Sequence, residues 1–113
     1  MATTDSNVTF NGTVAMNGVV GSTSTTVLGA TTITAGTFTT GASGTIAMGA
    51  NALTINTDVI TLGATIGGSS TLTIAPKTAS TTIGLGSLAA GDLHFTDAEL
   101  GYLSNGFSSI TFG

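Results

Sequence analysis

Leu53-Thr54-Ile55-Asn56-Thr57-Asp58-Val59-Ile60-Thr61-Leu62-Gly63-Ala64-Thr65-Ile66-Gly67 is the stretch whose reading decides the fold. Leu53, Ile55 and Val59 share one parity, and Ile60, Leu62 and Ile66 the other. Apolar side chains therefore alternate with Thr and Asn, slip phase once near Asp58, and alternate again. Alternation is the period of a half-buried strand. A slip beside a polar residue, with glycine closing a short apolar run, predicts a strand that ends, turns a corner and resumes with its apolar face still inward. That is one coil of a β-solenoid.

The rest of the chain follows the same rule more loosely. Val8, Phe10, Val14 and Met16 share a parity, with Asn11-Gly12 and Asn17-Gly18 as turn signals between short strands. From Ser22 to Gly49 threonine dominates and surrounds the inward candidates Val27, Ile33, Phe38, Ile46 and Met48. β-branched residues suit a pleated surface. Apolar tripeptides end at Gly29, Gly49, Gly67, Gly84 and Gly113, at intervals of 20, 18, 17 and 29 residues. Intervals near 20 fit one turn of a parallel solenoid, each returning about 4.8 Å further along the axis. The last interval implies an insertion. Within it, Thr96-Asp97-Ala98-Glu99 is a capping box. Ala98, Leu100, Tyr102 and Leu103 follow without β-branching, so the pattern predicts a helix over Asp97–Ser104, stopped by Asn105-Gly106 and docked through Leu100, Leu103 and Phe107. Ile110 and Phe112 resume strand alternation.

The expected architecture is an all-β, right-handed parallel β-helix (β-solenoid) of five to six coils in a single segment over residues 1–113. Residues 1–6 form a flexible start, 7–91 the coils and 92–113 a strand–helix–strand end module.

Composition narrows the function. Charged residues make up 5% of 113, hydrophobic residues 41%, and 17 residues are glycine. A single base, Lys77, stands against five acids, so there is no cationic surface to neutralise phosphates and no nucleic-acid partner is expected. No apolar run approaches the roughly 20 residues of a membrane-crossing helix, and the strands are short for a membrane barrel. Met1-Ala2-Thr3-Thr4 has neither the basic start nor the apolar segment of a signal peptide, so an exported protein would carry this chain as an internal piece. Cysteine is absent, which removes thiolate sites and disulfides.

Asp92 and His94 share a parity opposite to Leu93 and Phe95 and are expected to face solvent. A carboxylate and an imidazole so spaced suit a metal or an acid–base pair, but a third ligand must come from Asp97 or Glu99, whose charges belong at a helix start. No catalytic, cofactor or metal residue is assigned. Asn7-Val8-Thr9 and Asn11-Gly12-Thr13 fit the N-glycosylation pattern, which a Thr-rich chain produces by chance. Thr23-Ser24-Thr25, Thr32-Ile33-Thr34, Thr37-Phe38-Thr39 and Thr71-Leu72-Thr73 each put two threonines on one outward face, as ice-binding solenoids do. Their unequal spacing argues against aligned ranks.

Leu72-Thr73-Ile74-Ala75-Pro76, Thr82-Ile83-Gly84-Leu85-Gly86, Leu93-His94-Phe95-Thr96-Asp97-Ala98-Glu99-Leu100 and Gly106-Phe107-Ser108-Ser109-Ile110-Thr111-Phe112-Gly113 together resemble the repeated module of filamentous-haemagglutinin-like bacterial surface proteins. Val8-Thr9-Phe10-Asn11-Gly12-Thr13-Val14 is similar to their Thr-Gly-rich coils. The resemblance implies an extracellular, cell-surface location and a structural role as adhesin shaft or fibre. The chain has no recognisable secretion domain or adhesive tip. The expectation is thus a non-enzymatic, self-associating or repeat-linked shaft; an ice-binding module is the alternative, and a carbohydrate-active β-helix, which would need an acidic cluster, is a more distant one.

Overall fold

The computed structural model describes residues 8–11, 14–16, 29–42 and 45–113, with side chains from residue 29 onward. Asn7, the Asn11-Gly12 and Asn17-Gly18 turns, Val27, the Thr23-Ser24-Thr25 pair and the expected flexible start all involve residues outside that set.

The described residues are mostly strand with one short helix, an all-β arrangement, and their strands pair in parallel. In order they are β1 (Val8–Asn11), β2 (Val14–Met16), β3 (Thr31–Thr40), β4 (Ile46–Ala47), β5 (Leu53–Thr61), β6 (Ile66–Gly67), β7 (Thr71–Ala75), β8 (Ile83–Leu85), β9 (Leu93–Phe95), α1 (Asp97–Gly101) and β10 (Ser109–Phe112). The largest sheet runs β1-β3-β5-β7-β10, with β2 beside β1 on β3, and so has five tiers. Parallel pairs also join β4 to β6 and β8 to β9.

Register stacks like on like. One register column reads Val8, Thr31, Leu53, Leu72, Ile110, and another reads Phe10, Ile33, Ile55, Ile74, Phe112; from Thr31 and Ile33 onward these columns line the core. Ile33, Leu53, Ile55, Leu72 and Ile74 are all at most 1% exposed. Each such aliphatic contributes about 1.5–3 kcal/mol by leaving water. Ile46, Ile66, Leu93 and Phe95, from the other two sheets, and Met48, just past β4, close the same core. The predicted inward residues Ile33, Phe38, Ile46 and Met48 are all buried.

The phase slip in β5 is real and is shared by its neighbour. Pairing of β3 with β5 runs from Thr31–Leu53 to Ala35–Thr57, skips Gly36 and Asp58, and resumes at Thr37–Val59. Thr57, rather than Val59, is the inward residue at this corner: Thr57 is fully buried and Val59 is 47% exposed. Two residues, Asp58 and Val59, pass on the outside before Ile60 turns in. The buried Thr57 hydroxyl donates to the Val59 carbonyl at 2.8 Å, with the Gly36 carbonyl of the neighbouring strand at 3.3 Å. A polar group in a dry core costs little when it is bonded in this way.

Three expectations need correction. The closing glycines do not mark the repeat: Gly67 pairs with Ala47, not Gly49, and Gly84 pairs with His94 in a different sheet from Gly67. Glycine here serves turns, such as Gly49 with φ 57°, and these fall at different offsets from the ladder. Nor is the last interval one turn with an insertion. Successive tiers of the large sheet are offset by 22 residues (Thr31 to Leu53), 19 (Leu53 to Leu72) and then 38 (Leu72 to Ile110). The final offset is twice the one before, because the chain builds the β8–β9 ladder, with its ten-residue step from Ile83 to Leu93, before rejoining the sheet.

The helix is also shorter than Asp97–Ser104, spanning Asp97–Gly101. Leu103 leaves it to bridge Ile66, with Ile66 N donating to the Tyr102 carbonyl and Ser104 N to the Ile66 carbonyl. Those sheet-like bonds replace a second helical turn. Residues 92–113 run strand, helix, strand, with β10 as the fifth tier of the large sheet and Leu103 extending the β4–β6 stack.

Candidate functional site

The chemistry-bearing residues singled out in sequence, Asp92, His94, Asp97 and Glu99, lie along β9 and the first turn of α1. Leu93 and Phe95 point inward and are fully buried, as the alternation requires. Asp92 is exposed and His94 half-buried.

Each of the four makes hydrogen bonds within the chain. Asp92 N donates to Thr82 Oγ1 at 3.1 Å while that hydroxyl donates to Asp92 Oδ2 at 3.3 Å. One ladder end further, Ser87 N donates to Asp97 Oδ1 and Asp97 N donates to Ser87 Oγ, each at 3.0 Å. Both pairs span ten residues, the step of the β8–β9 ladder, so each is a reciprocal clasp between one strand end and the next. His94 Nε2 lies 2.7 Å from the Gly86 carbonyl and donates to it. Gly86, at φ 98°, also donates its amide to the Phe95 carbonyl. A left-handed residue is needed there for the chain to leave β8 and bring its carbonyl under the imidazole.

Parallel strands are usually joined by a dozen or more residues; seven separate β8 from β9. The short return brings backbone against backbone. A Cβ at Gly91 would lie 2.3 Å from Gly84 N, and one at Gly84 would lie 2.7 Å from the Ala90 carbonyl oxygen. The two glycines make the crossing possible.

Glu99 is the most constrained of the set. The capping box forms as expected: Thr96 Oγ1 accepts from Glu99 N, and Glu99 Oε2 accepts from Thr96 N at 2.9 Å and from its hydroxyl at 3.0 Å. The other oxygen, Oε1, accepts from the buried amide of Leu62 at 2.9 Å, 37 residues away. The carboxylate thus anchors α1 to the chain leaving β5.

Asp58, at the outer corner of β5, does equivalent work that the sequence reading missed. Its carboxylate accepts from Thr78 N at 2.7 Å, Thr78 Oγ1 at 2.6 Å and Thr81 Oγ1 at 3.1 Å. The Thr78 hydroxyl, then its amide, hold the Asp58 carboxyl below the ordinary aspartate value of 3.8. The available signal was the 20-residue offset from Asp58 to Thr78, close to a tier.

The register of the large sheet carries a further pattern, outward from Thr32 onward. Thr9, Thr32, Thr54, Thr73 and Thr111 occupy one register column across all five tiers. The threonine pairs do not align as pairs, as their unequal spacing suggests, since Thr34 stacks on Asn56 and Thr71 on Ser109; a single threonine column aligns because the unequal tier offsets absorb the unequal spacing. The adjacent column reads Asn11, Thr34, Asn56, Ala75, so the aligned rank is single. Among the described residues no three of His, Cys, Asp and Glu group as metal ligands.

Comparison of the chain with family models, with curated proteins and with solved structures returns no match.

Proposed function

We propose that this chain is a length of parallel β-solenoid with a mechanical role: a stiff, weakly charged shaft segment of an extracellular bacterial fibre or adhesin. The observation that carries this reading is the repetition of chemistry along register. From β3 to β10 one register column is Ile33, Ile55, Ile74, Phe112 on the core side and another is Thr32, Thr54, Thr73, Thr111 on the outer side, so each tier packs on a neighbour of like chemistry and stability adds tier by tier along one axis.

The placement of charge supports the same reading. Of the five acids, Asp58, Asp92, Asp97 and Glu99 each accept hydrogen bonds from a strand or loop far along the chain. Carboxylates held in this way brace a scaffold. The bacterial, cell-surface setting rests on the resemblance of residues 72–113 to filamentous-haemagglutinin-like modules, and no catalysis is assigned. Limited proteolysis tests the reading. Residues 29–113 are expected to survive a broad-specificity protease under conditions that degrade the heat-unfolded chain, and cleavage throughout β3, β5 and β7 would overturn it.

A second reading has one observation in its favour. A threonine column with steps of about 4.8 Å is a regular array of hydroxyl and methyl groups, such as would bind an ice surface. The neighbouring Asn-Thr-Asn-Ala column makes the array one rank wide, so the mechanical reading is preferred. Thermal hysteresis at millimolar protein decides between them, with its absence removing the ice-binding reading.

A further inference from the structure

We propose that the outer edge of β10 receives β1 of a second copy of this chain, so that copies join head to tail with their register columns unbroken. The inference rests on the stacked reading above and names its joint.

Among the described residues β10 pairs along one edge only, with β7, and β1 likewise only with β3, at the opposite end of the sheet. Ile110 and Phe112 are half-buried although their column partners Leu72 and Ile74 are fully buried, so among the described residues the β10 tier carries the core pattern with less cover than the tier beneath it. What would cover it is written in β1. Val8-Thr9-Phe10 laid on Ile110-Thr111-Phe112 places Val8 on Ile110, Thr9 on Thr111 and Phe10 on Phe112. These residues already belong to the same three columns within one chain.

Hydrogen-bond phase agrees. Gly113 N donates to the Ile74 carbonyl, so the backbone groups of Ser109, Thr111 and Gly113 face β7, and those of Ile110 and Phe112 face away. Thr31 N donates to the Ala52 carbonyl, which turns Thr31 toward β5 and Thr32 toward β1. The β1 register then directs the backbone of Val8 and Phe10 to β3 and leaves Thr9 and Asn11 facing outward. In the joint, the Thr9 amide of one copy reaches the Ile110 carbonyl of the other, and the Phe112 amide reaches the Thr9 carbonyl. A one-residue slip would lose both this phase and the match of side chains. Neither edge carries a charge or a proline, the usual devices that keep strand edges apart.

The test is sedimentation velocity of the chain from about 10 µM to about 1 mM at low salt. The wild type is expected to show a weight-average mass that rises with concentration. Thr9→Glu with Thr111→Glu sets two carboxylates in register across the joint, about 4.8 Å apart, and is expected to weaken association at least about tenfold. Thr9→Lys with Thr111→Glu keeps the wild-type net charge and is expected to restore it. Ala50→Glu with Ser80→Glu adds two charges away from both edges and is expected to leave association near the wild-type value. Circular dichroism confirms that each variant folds. A wild-type chain that stays monomeric at about 1 mM, or equal association of the Glu/Glu and Lys/Glu pairs, overturns the joint. A monomer that still resists protease removes the joint and leaves the mechanical reading standing; a monomer digested throughout its strands removes both.

Discussion

Replacing Glu99 with alanine is expected to be the most damaging single change to the strand–helix region, and the size of the effect follows from three bonds. Truncation leaves Leu62 N without its acceptor in a buried position and also frees Thr96 N and Thr96 Oγ1. A hydrogen bond to a charged group contributes about 1.5–3 kcal/mol, and a buried donor left unpaired costs about 1–3 kcal/mol. Thr96 is half-buried and can recover water, so its share is small. The sum is about 3–5 kcal/mol, a large part of the roughly 5–15 kcal/mol that holds a typical domain. At about 4 °C per kcal/mol for a domain of this size, Tm should fall by about 12–20 °C. Glu99→Gln keeps one acceptor oxygen for Leu62 and should lose only about 1–2 kcal/mol. Urea denaturation gives the stability change, and native-state hydrogen exchange at the Leu62 amide reports the specific bond. A loss below about 1 kcal/mol for Glu99→Ala, or unchanged protection at Leu62, would refute the reasoning.

Gly91→Ala pushes a Cβ to 2.3 Å from Gly84 N and should cost about 3 kcal/mol or more. Gly36→Ala meets nothing within 4 Å and should be neutral or stabilising by about 0.4–1 kcal/mol, so paired thermal melts separate steric need from mere composition. Thr57→Val keeps shape but removes the buried hydroxyl that donates to the Val59 carbonyl, for an expected loss of about 1–2 kcal/mol in urea. Because the Asp58 carboxyl is held below 3.8 in the folded chain, its contribution is complete above that value and disappears as pH falls through the lower, folded value. Urea midpoints at about pH 6 and about pH 2.5 should accordingly differ less in Asp58→Asn than in the wild type.

The strand periodicity was legible because alternation is a local property. Leu53, Ile55, Ile60 and Leu62 could be sorted into inward positions by counting alone, as could Leu93 and Phe95. The corner was located near Asp58, but its inward residue was not. Strict parity from Leu53 and Ile55 points to Thr57; hydropathy pointed to Val59, and parity wins because a hydroxyl can be paired within the core. The capping box at Thr96 and Glu99 was visible since its partners are three residues apart. The bond from Glu99 to Leu62 was not, since nothing local links residues 37 positions apart. Glycine spacing misled because glycine records turns and close approaches, as at Gly49 and Gly91, while the ladder is set by the pairing of Leu53 with Leu72 and Leu72 with Ile110. The threonine column was missed for the same reason: its alignment depends on unequal tier offsets that only pairing reveals.

The parallel, in-register stack underlies every conclusion above, and cross-strand nuclear Overhauser contacts in the labelled chain test it most directly. The account predicts amide-to-Hα contacts of parallel pairing linking Thr32 with Thr54, Thr54 with Thr73 and Thr73 with Thr111. Short Hα–Hα contacts between strands consecutive in sequence, the mark of antiparallel hairpins, would contradict it.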